Sequence, residues 1–371
     1  MNMSQTIRKL FSRAAMMLLA TILLTMTAQT AWAQLTMNGV KYIDANGVEQ
    51  TRDGVIVLTG SETKLGVEGT ENSPTETWYL CNTNLSYNST LSSYDYCNVN
   101  IILADGVEMS VEPSSSSAIY ILGSLGIYGQ STGTNRGALT AKGTSRGIWV
   151  NGSGNNVTIS GAEVTATGDY AIYSSGGGVS ITGSKVTATG TERGIFANGD
   201  DNGDVNLTII GSEVTATATG TSGNAIFSWG GSISISDAEV TAEGNYAIYT
   251  LRGGVSITGG KVTANGTEYG IEASGSNKDI TIKEVLRLRL RANMLSMPLM
   301  VASASLAAKS PPMEHLTLLE PGALTKISLS SSSVPKSRQP PMGALVMLSI
   351  PLEVASASLA AKSPPKEHLM A

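Results

Sequence analysis

The phrase VSITGSKVTATG at residues 179–190 returns as LTIIGSEVTATATG at 207–220 and as VSITGGKVTANG at 255–266. Around these copies, an isoleucine in the triplets GIW, AIY or GIF marks equivalent positions, and four of the six steps between them measure 22 to 24 residues. Self-similarity at such a period is typical of a solenoid, because one copy cannot bury its apolar face alone. The aligned positions are Ile119, Ile148, Ile172, Ile195, Ile226, Ile248 and Ile271.

Each unit contains three short alternating runs, such as 147–150, 157–159 and 164–166, separated by Gly, Ser, Asn or Asp. Three strands per unit predict an all-β fold, a right-handed, three-sided parallel β-helix with about 22–24 residues per rung. We expect Val and Ala columns to point inward and the Thr between them outward. The inward columns are Val164, Val186, Val214, Val240, Val262 and Ala166, Ala188, Ala216, Ala242, Ala264.

A column of charged residues precedes the valines. Its signs partly alternate from rung to rung, so we expect ion pairs that support register and solubility rather than catalytic carboxylates. Surface pairs of this kind contribute about 0–1 kcal/mol each. The column is Glu163, Lys185, Glu213, Glu239 and Lys261.

Residues 1–33 have the features of a secretory signal peptide. Arg8, Lys9 and Arg13 precede a largely apolar run at 14–26, and Ala31-Trp32-Ala33 offers a small-x-small cleavage site. We therefore expect a secreted protein, extracellular or held at the cell surface. No later stretch reaches the roughly 18 apolar residues needed to span a bilayer.

Residues 34–113 lack the repeat, so we expect irregular first rungs and a cap there, ahead of the β-helix repeats at 114–282. Cys81 and Cys97, the only cysteines, flank a polar, tyrosine-rich loop in this region. In an oxidising compartment they predict a disulfide, with two unpaired thiols as the alternative.

The composition changes abruptly after Ile282: ten of the twelve prolines and both histidines follow it, but only two of the 41 glycines. VASASLAAKSPP occurs at 301–312 and again at 354–365. This repeat can be back-translated with permitted codons into a base sequence that, read in a shifted frame, encodes GVSITGGKVTA. That is the sequence of residues 254–264. We therefore interpret 283–371 as an out-of-frame, poorly folded or disordered tail produced by a frameshift near Lys283.

The in-frame region after the signal peptide contains no histidine, which removes a Ser/His/Asp triad and His-ligated zinc from consideration. Its richest acidic cluster is Asp200-Asp201-Asn202-Gly203-Asp204. Clustered Asp and Asn at a Gly turn supply the oxygen ligands that Ca²⁺ prefers, so Asp200, Asp201 and Asp204 form a candidate calcium site. A plain solvated turn is the alternative.

A column of mostly aromatic residues follows the aligned isoleucines and ends in Glu272. Because neighbouring residues of a strand face opposite ways, inward isoleucines place these rings on the surface, as a platform for sugar rings. The alternative is that the rings form the inward column and are structural. The candidate ligand-binding residues are Tyr120, Trp149, Tyr173, Phe196, Phe227 and Tyr249, with Trp229 in the following turn.

The signal peptide, YIDANGVEQ at 42–50, IILADGVEMSVE at 101–112 and the AIYSSGGGVSITG and KVTATG series together resemble secreted bacterial carbohydrate-binding β-helix proteins. That group is related to noncatalytic, pectate-lyase-like binders of polygalacturonate. The resemblance covers about 41–282 and implies binding of an acidic polysaccharide at the cell surface, with calcium as a bridge.

We therefore expect a noncatalytic carbohydrate-binding protein. A surface adhesin or structural repeat protein without glycan specificity is the second hypothesis, and a polysaccharide lyase or glycosidase the third. The low charged fraction, 14%, and the net charge of −5 offer no basic face, so we expect no nucleic-acid partner. An uncapped rung end would let copies of the chain associate end to end.

Overall fold

A computed structural model describes residues 35–114, 116–199, 205–274 and 279–283, and four further strands by their backbone. All described elements are strands. In chain order they are β1 (Thr36–Met37), β2 (Val40–Ile43), β3 (Glu49–Arg52), β4 (Val55–Val57), β5 (Lys64–Leu65), β6 (Thr75–Cys81), β7 (Leu85–Tyr87), β8 (Leu91–Ser93), β9 (Cys97–Leu103), β10 (Glu108–Val111), β11 (Ser117–Ile121), β12 (Leu125–Gly129), β13 (Ala138–Lys142), β14 (Arg146–Asn151), β15 (Val157–Ser160), β16 (Glu163–Ser175), β17 (Val179–Thr182), β18 (Lys185–Asn198), β19 (Leu207–Ile210), β20 (Glu213–Ala218), β21 (Asn224–Ser228), β22 (Ile233–Ser236), β23 (Glu239–Thr250), β24 (Val255–Thr258), β25 (Lys261–Ala273), β26 (Ile280–Lys283), β27 (Arg287–Arg291), β28 (Ala304–Ala307), β29 (Leu316–Leu319) and β30 (Ile327–Leu329).

The strands form a β-solenoid of about nine turns, which confirms the predicted parallel β-helix. A 13-stranded sheet runs from β1 to β30 and contains the Val-x-Ile strands. A 15-stranded sheet forms the other two sides of each turn, and its long strands β16, β18, β23 and β25 pass through both. Among the described pairings, only β1 with β4, β2 with β3 and an isolated bridge are antiparallel.

The register places identical residues of successive turns directly against one another. Val164 pairs with Val186, Thr165 with Thr187 and Ala166 with Ala188, and the same columns continue through β20, β23 and β25. The predicted valine and alanine columns are buried with at most 1% exposure, and the threonines between them face outward. Parallel pairing thus converts the sequence repeat into one continuous apolar core.

Each long strand bends where it passes from one side of the turn to the next. The pairing of β16 with β18 shifts register between Gly168 and Tyr170. At Gly190, the equivalent of Gly168, an added Cβ would lie 1.8 Å from the backbone oxygen of Arg193, so only glycine fits. After the bend, each strand continues along the side of the solenoid that carries the aligned isoleucines.

The charged column forms the predicted ion pairs between rungs. Lys185 Nζ lies 2.8 Å from Glu163 Oε1, and Lys261 bridges to Glu239. Glu213 lies in register between Lys185 and Glu239. These pairs are solvent-exposed, as expected of residues that support register.

The hairpin of β2 and β3 packs on the outer face of the 13-stranded sheet. The ring centroids of Tyr42 and Trp78 lie 4.9 Å apart, and Trp78 stacks on Tyr128 with a centroid distance of 5.3 Å. Further along, Ser160 Oγ donates a hydrogen bond to the carbonyl oxygen of Asp44. The hairpin therefore covers the rungs whose outward residues are apolar.

The backbones of β27 to β30 continue the two large sheets in parallel pairing. All described residues belong to one compact unit, Met1–Ser332. The signal peptide lies outside the described residues. The frameshift is a hypothesis about the gene and stays a prediction.

Removal of a core side chain tests the inward column. Ile195, in β18, is fully buried, so Ile195→Ala should lower the free energy of unfolding by about 2–5 kcal/mol through lost burial and a cavity. The outward-facing Thr187 of the same strand provides the matched control, because Thr187→Ala should change it by less than about 0.5 kcal/mol. Urea unfolding followed by circular dichroism measures both, and equal losses would contradict the assigned faces.

Candidate functional site

The predicted aromatic column lies on one side of the solenoid, and its orientation is as the first hypothesis expected. Every aligned isoleucine points inward with 0–7% exposure. The neighbouring rings point outward and pair in register from turn to turn. We call this column the aromatic ladder: Tyr120, Trp149, Tyr173, Phe196, Phe227 and Tyr249.

The rings of the aromatic ladder stack on one another. Consecutive centroids lie 4.3 to 6.4 Å apart, and from Trp149 onward successive planes are within 14° of parallel. The central rings, Phe196 and Phe227, are only 7% and 3% exposed. Since each inner ring has neighbours on both faces, the ladder offers its edges rather than its faces to a ligand.

Trp229 differs from the ladder. Its ring meets that of Phe227 edge-on at 6.2 Å, and the residue is 38% exposed. Its ring lies outside the stack and is not sandwiched between two ladder rings as the inner rings are. The sugar-binding platform predicted from sequence therefore offers fewer ring faces than its seven residues suggested.

A second column runs beside the ladder on the same side of the solenoid. Arg146 pairs in register with Tyr170, and Tyr170 with Arg193. The Arg146 guanidinium carbon lies 4.0 Å from the ring centre of Trp149, and that of Arg193 lies 5.2 Å from the ring centre of Phe227. Both distances are within cation–π range. We call the ladder with these three residues the aromatic–arginine strip.

The two arginines have no carboxylate partner among the described residues. Nη1 of Arg146 donates to Ser145 Oγ at 3.2 Å, and Nη1 of Arg193 donates to the carbonyl oxygen of Glu192 at 2.9 Å. The Nε atoms of both are buried and unpaired. The nearby carboxylate of Glu192 instead accepts a 2.5 Å hydrogen bond from Tyr170. Arg146 and Arg193 occupy equivalent positions of their turns, but their approach to the rings was not predictable from spacing.

An acidic residue, Glu272, lies next to the end of the strip that is farthest from Arg146. Glu272 follows Tyr249 in register, and its Oε1 accepts a hydrogen bond from Ser274 at 2.7 Å. Burial, and to a lesser degree the charge of Glu268, raises the pKa of the Glu272 carboxyl, against the lowering effect of that bond. The strip is therefore cationic toward Arg146 and anionic toward Glu272.

The candidate calcium ligands Asp200, Asp201 and Asp204 lie outside the described residues. Within the part of the chain that the structure describes, no cluster of three or more His, Cys, Asp or Glu side chains is placed to hold a metal ion. Calcium stays a prediction from sequence.

The predicted disulfide is wrong, because the two cysteines are free and buried. Their strands, β6 and β9, pair in parallel with Cys97 opposite Thr75 and Cys81 opposite Leu103. Six residues of extended chain therefore separate the thiols along the sheet, about 20 Å, whereas a disulfide needs Cα atoms within about 7 Å. Closeness in sequence was misleading because one turn of the solenoid returns the chain to the start of the neighbouring strand.

Comparisons with family models, curated proteins and solved structures gave no significant match for this chain. The described residues also include no helix with the length and apolarity needed to cross a bilayer. The geometry of the aromatic–arginine strip is therefore the basis on which function is proposed.

Thiol titration tests the corrected cysteine assignment. Burial raises the pKa of the Cys81 thiol to about 12, so the native protein should react slowly with a thiol reagent. Two thiols per chain should react after denaturation without reductant. Mass spectrometry that finds a Cys81–Cys97 linkage would contradict the register of β6 and β9.

Substitution of Glu272 tests the electrostatics of the acidic end. A carboxyl whose pKa is higher in the folded state destabilises the fold as pH rises from its usual pKa, about 4.3, toward the raised one. Glu272→Gln should therefore raise Tm by a few degrees at neutral pH and have little effect below pH of about 4. The exposed Glu108 gives the control, Glu108→Gln. A higher Tm for Glu272→Gln only at low pH would show the opposite sign.

Proposed function

We propose that this protein is a secreted, noncatalytic binder of an acidic polysaccharide, and that the aromatic–arginine strip is its binding surface. The observation that supports this most is the pair of guanidinium groups, Arg146 and Arg193, held over aromatic rings without a carboxylate partner among the described residues. A partly buried guanidinium whose Nε has no hydrogen-bond acceptor gains more from an anionic ligand than a fully hydrated one does. Carboxylates are the natural partners of a guanidinium fork.

The shape of the strip favours a polymer over a small molecule. An aromatic residue recurs at every turn from Tyr120 to Tyr249, so the strip extends along the solenoid axis in steps of about 4.8 Å. A linear glycan is likewise a repeat along one direction, and it can contact several turns at once. Trp229 would add an exposed ring for sugar contact at the side of the strip.

The proposal is for binding without cleavage. The carboxylate of Glu192, next to Arg193 in sequence, accepts a hydrogen bond from the Tyr170 hydroxyl. Of the other carboxylates near this side, Asp169 accepts a hydrogen bond from Thr191, and Glu272 lies three turns beyond Arg193, with Glu268 on the same strand. The arginines therefore serve as anchors for anionic groups, and we assign no catalytic residue.

A structural or adhesive repeat protein without glycan specificity is the second candidate. The observation in its favour is the mutual stacking of the aromatic ladder, which buries Phe196 and Phe227 almost fully. Rings that stabilise one another account for the ladder without any ligand. The two candidates differ in whether the exposed arginine edges bind anions.

A retention experiment separates these candidates. The full chain should be retained on immobilised polygalacturonate and not on its fully methyl-esterified form, which keeps the backbone and removes the charge. Retention should weaken as salt rises, because exposed charges are screened. Arms with calcium and with chelator test whether calcium bridges the complex, as the Asp200 to Asp204 cluster predicts.

The outcomes are distinct. Equal retention on both forms would contradict charge-based recognition, and retention on neither would favour the structural repeat protein. Release of unsaturated sugars into the supernatant would show a lyase instead of a binder.

A further inference from the structure

We propose that Arg146 and Arg193 form two carboxylate subsites for one glycan chain, which lies along the solenoid axis and presents carboxylates two sugar residues apart. This inference rests on the proposed function and adds the ligand's register and minimum length. Its basis is the placement of two equivalent cations on alternate turns, with an uncharged residue between them.

The distance between the two arginines matches two residues of a glycan chain. Arg146 pairs with Tyr170, and Tyr170 pairs with Arg193, so the two arginines are separated by two strand spacings, roughly 10 Å. An extended pyranose chain advances by close to one strand spacing per residue. Two turns of the solenoid therefore match the length of a disaccharide, and carboxylates on residues one and three of a chain would reach both arginines.

Aromatic rings pre-organise each guanidinium. Arg146 lies between three rings, with its guanidinium carbon 4.0 Å from the centre of Trp149 and 5.5–5.6 Å from those of Tyr173 and Tyr170. Arg193 is held by Phe196 and Phe227 at 5.9 and 5.2 Å. A planar cation packed on rings loses less freedom when it binds, which favours affinity.

Several other cations of this protein are already paired with carboxylates. Lys41, Arg52, Lys142, Lys185 and Lys261 each lie within 4 Å of a carboxylate. Among the described residues, Arg146 and Arg193 have no such partner; Arg136 and Lys64 also lack one, but Arg136 is held by three backbone carbonyl oxygens and Lys64 lies over Tyr94, away from the aromatic ladder. An incoming carboxylate would therefore find a guanidinium that no protein anion already occupies.

The position between the two arginines carries no cation. Tyr170 fills the turn between the arginines, with its ring 5.3 Å from Tyr173 and its hydroxyl bonded to Glu192. A sugar above this turn meets an aromatic edge and a carboxylate, not a cation. The strip therefore binds only every second carboxylate of a chain, and the intervening residue is either neutral or turns its own carboxylate away from Glu192.

Uronate oligomers of increasing length test the two subsites on the full chain by calorimetry. Affinity should rise by about tenfold or more between the dimer and the trimer, because only the trimer reaches both arginines. Arg146→Gln and Arg193→Gln should each remove that step and bring the trimer close to the affinity of the dimer, and the double variant should bind more weakly than either alone because it lacks both subsites. Lys185→Gln removes one positive charge from another side of the solenoid and should leave the step intact.

Each outcome decides between the two levels of the proposal. If the chain binds long polyuronate but all three arginine variants bind as tightly, the subsites are wrong while the proposed function stands. If the unaltered chain binds no polyuronate of any length, both are wrong. A smooth rise of affinity with length, without a step at the trimer, overturns the spacing alone.

A measurement on the unaltered protein guards against variants that fail to fold. Phenylglyoxal modifies accessible arginines, and mass spectrometry locates the modified residues. The uronate trimer should protect Arg146 and Arg193 together, whereas the dimer should give only partial protection of both. Unchanged labelling of both residues with saturating trimer would overturn the assignment.

Discussion

The in-register parallel pairing of successive turns is the constraint on which the rest of this structure depends. It places each residue about 4.8 Å from its equivalent in the next turn, so every property of a position becomes a property of a column. The isoleucine, valine and alanine columns then fuse into one core, and the Glu163–Lys185 pair forms across two turns. A longer connection outside the strands, as between Ala218 and Asn224, leaves the columns intact because the flanking strands keep their register with Gly190 and Arg193.

The same constraint decides what the aromatic ladder can do. Rings held at strand spacing approach the distance of aromatic stacking, so they contact one another before any ligand. Stability and face-on sugar binding therefore compete for the same surfaces, and in this ladder stacking occupies the inner faces. The available chemistry moves to the ring edges, to Trp229 and to the guanidinium groups that lie beside the rings.

The columns were predictable from sequence because they depend only on period and alternation. Val164, Ala166 and their equivalents needed no knowledge of tertiary contacts. The disulfide was not predictable, since Cys81 and Cys97 lie at opposite ends of paired strands and only the register of β6 and β9 reveals it. The cation–π contacts of Arg146 likewise depend on how its side chain folds over Trp149, which the alternation along a strand does not specify.

The unequal charge of the strip limits where a polyanion can lie. Arg146 and Arg193 occupy one end, while Glu268 and Glu272 occupy the other, and the two ends are several strand spacings apart. At physiological salt, exposed charges are screened beyond about 8 Å, so the acidic end does not cancel the arginines. On the proposed function, it would disfavour extension of a bound glycan past Tyr249. A chain anchored at both arginines therefore has a defined register, because a shift by one turn would replace a guanidinium with the ring of Tyr170.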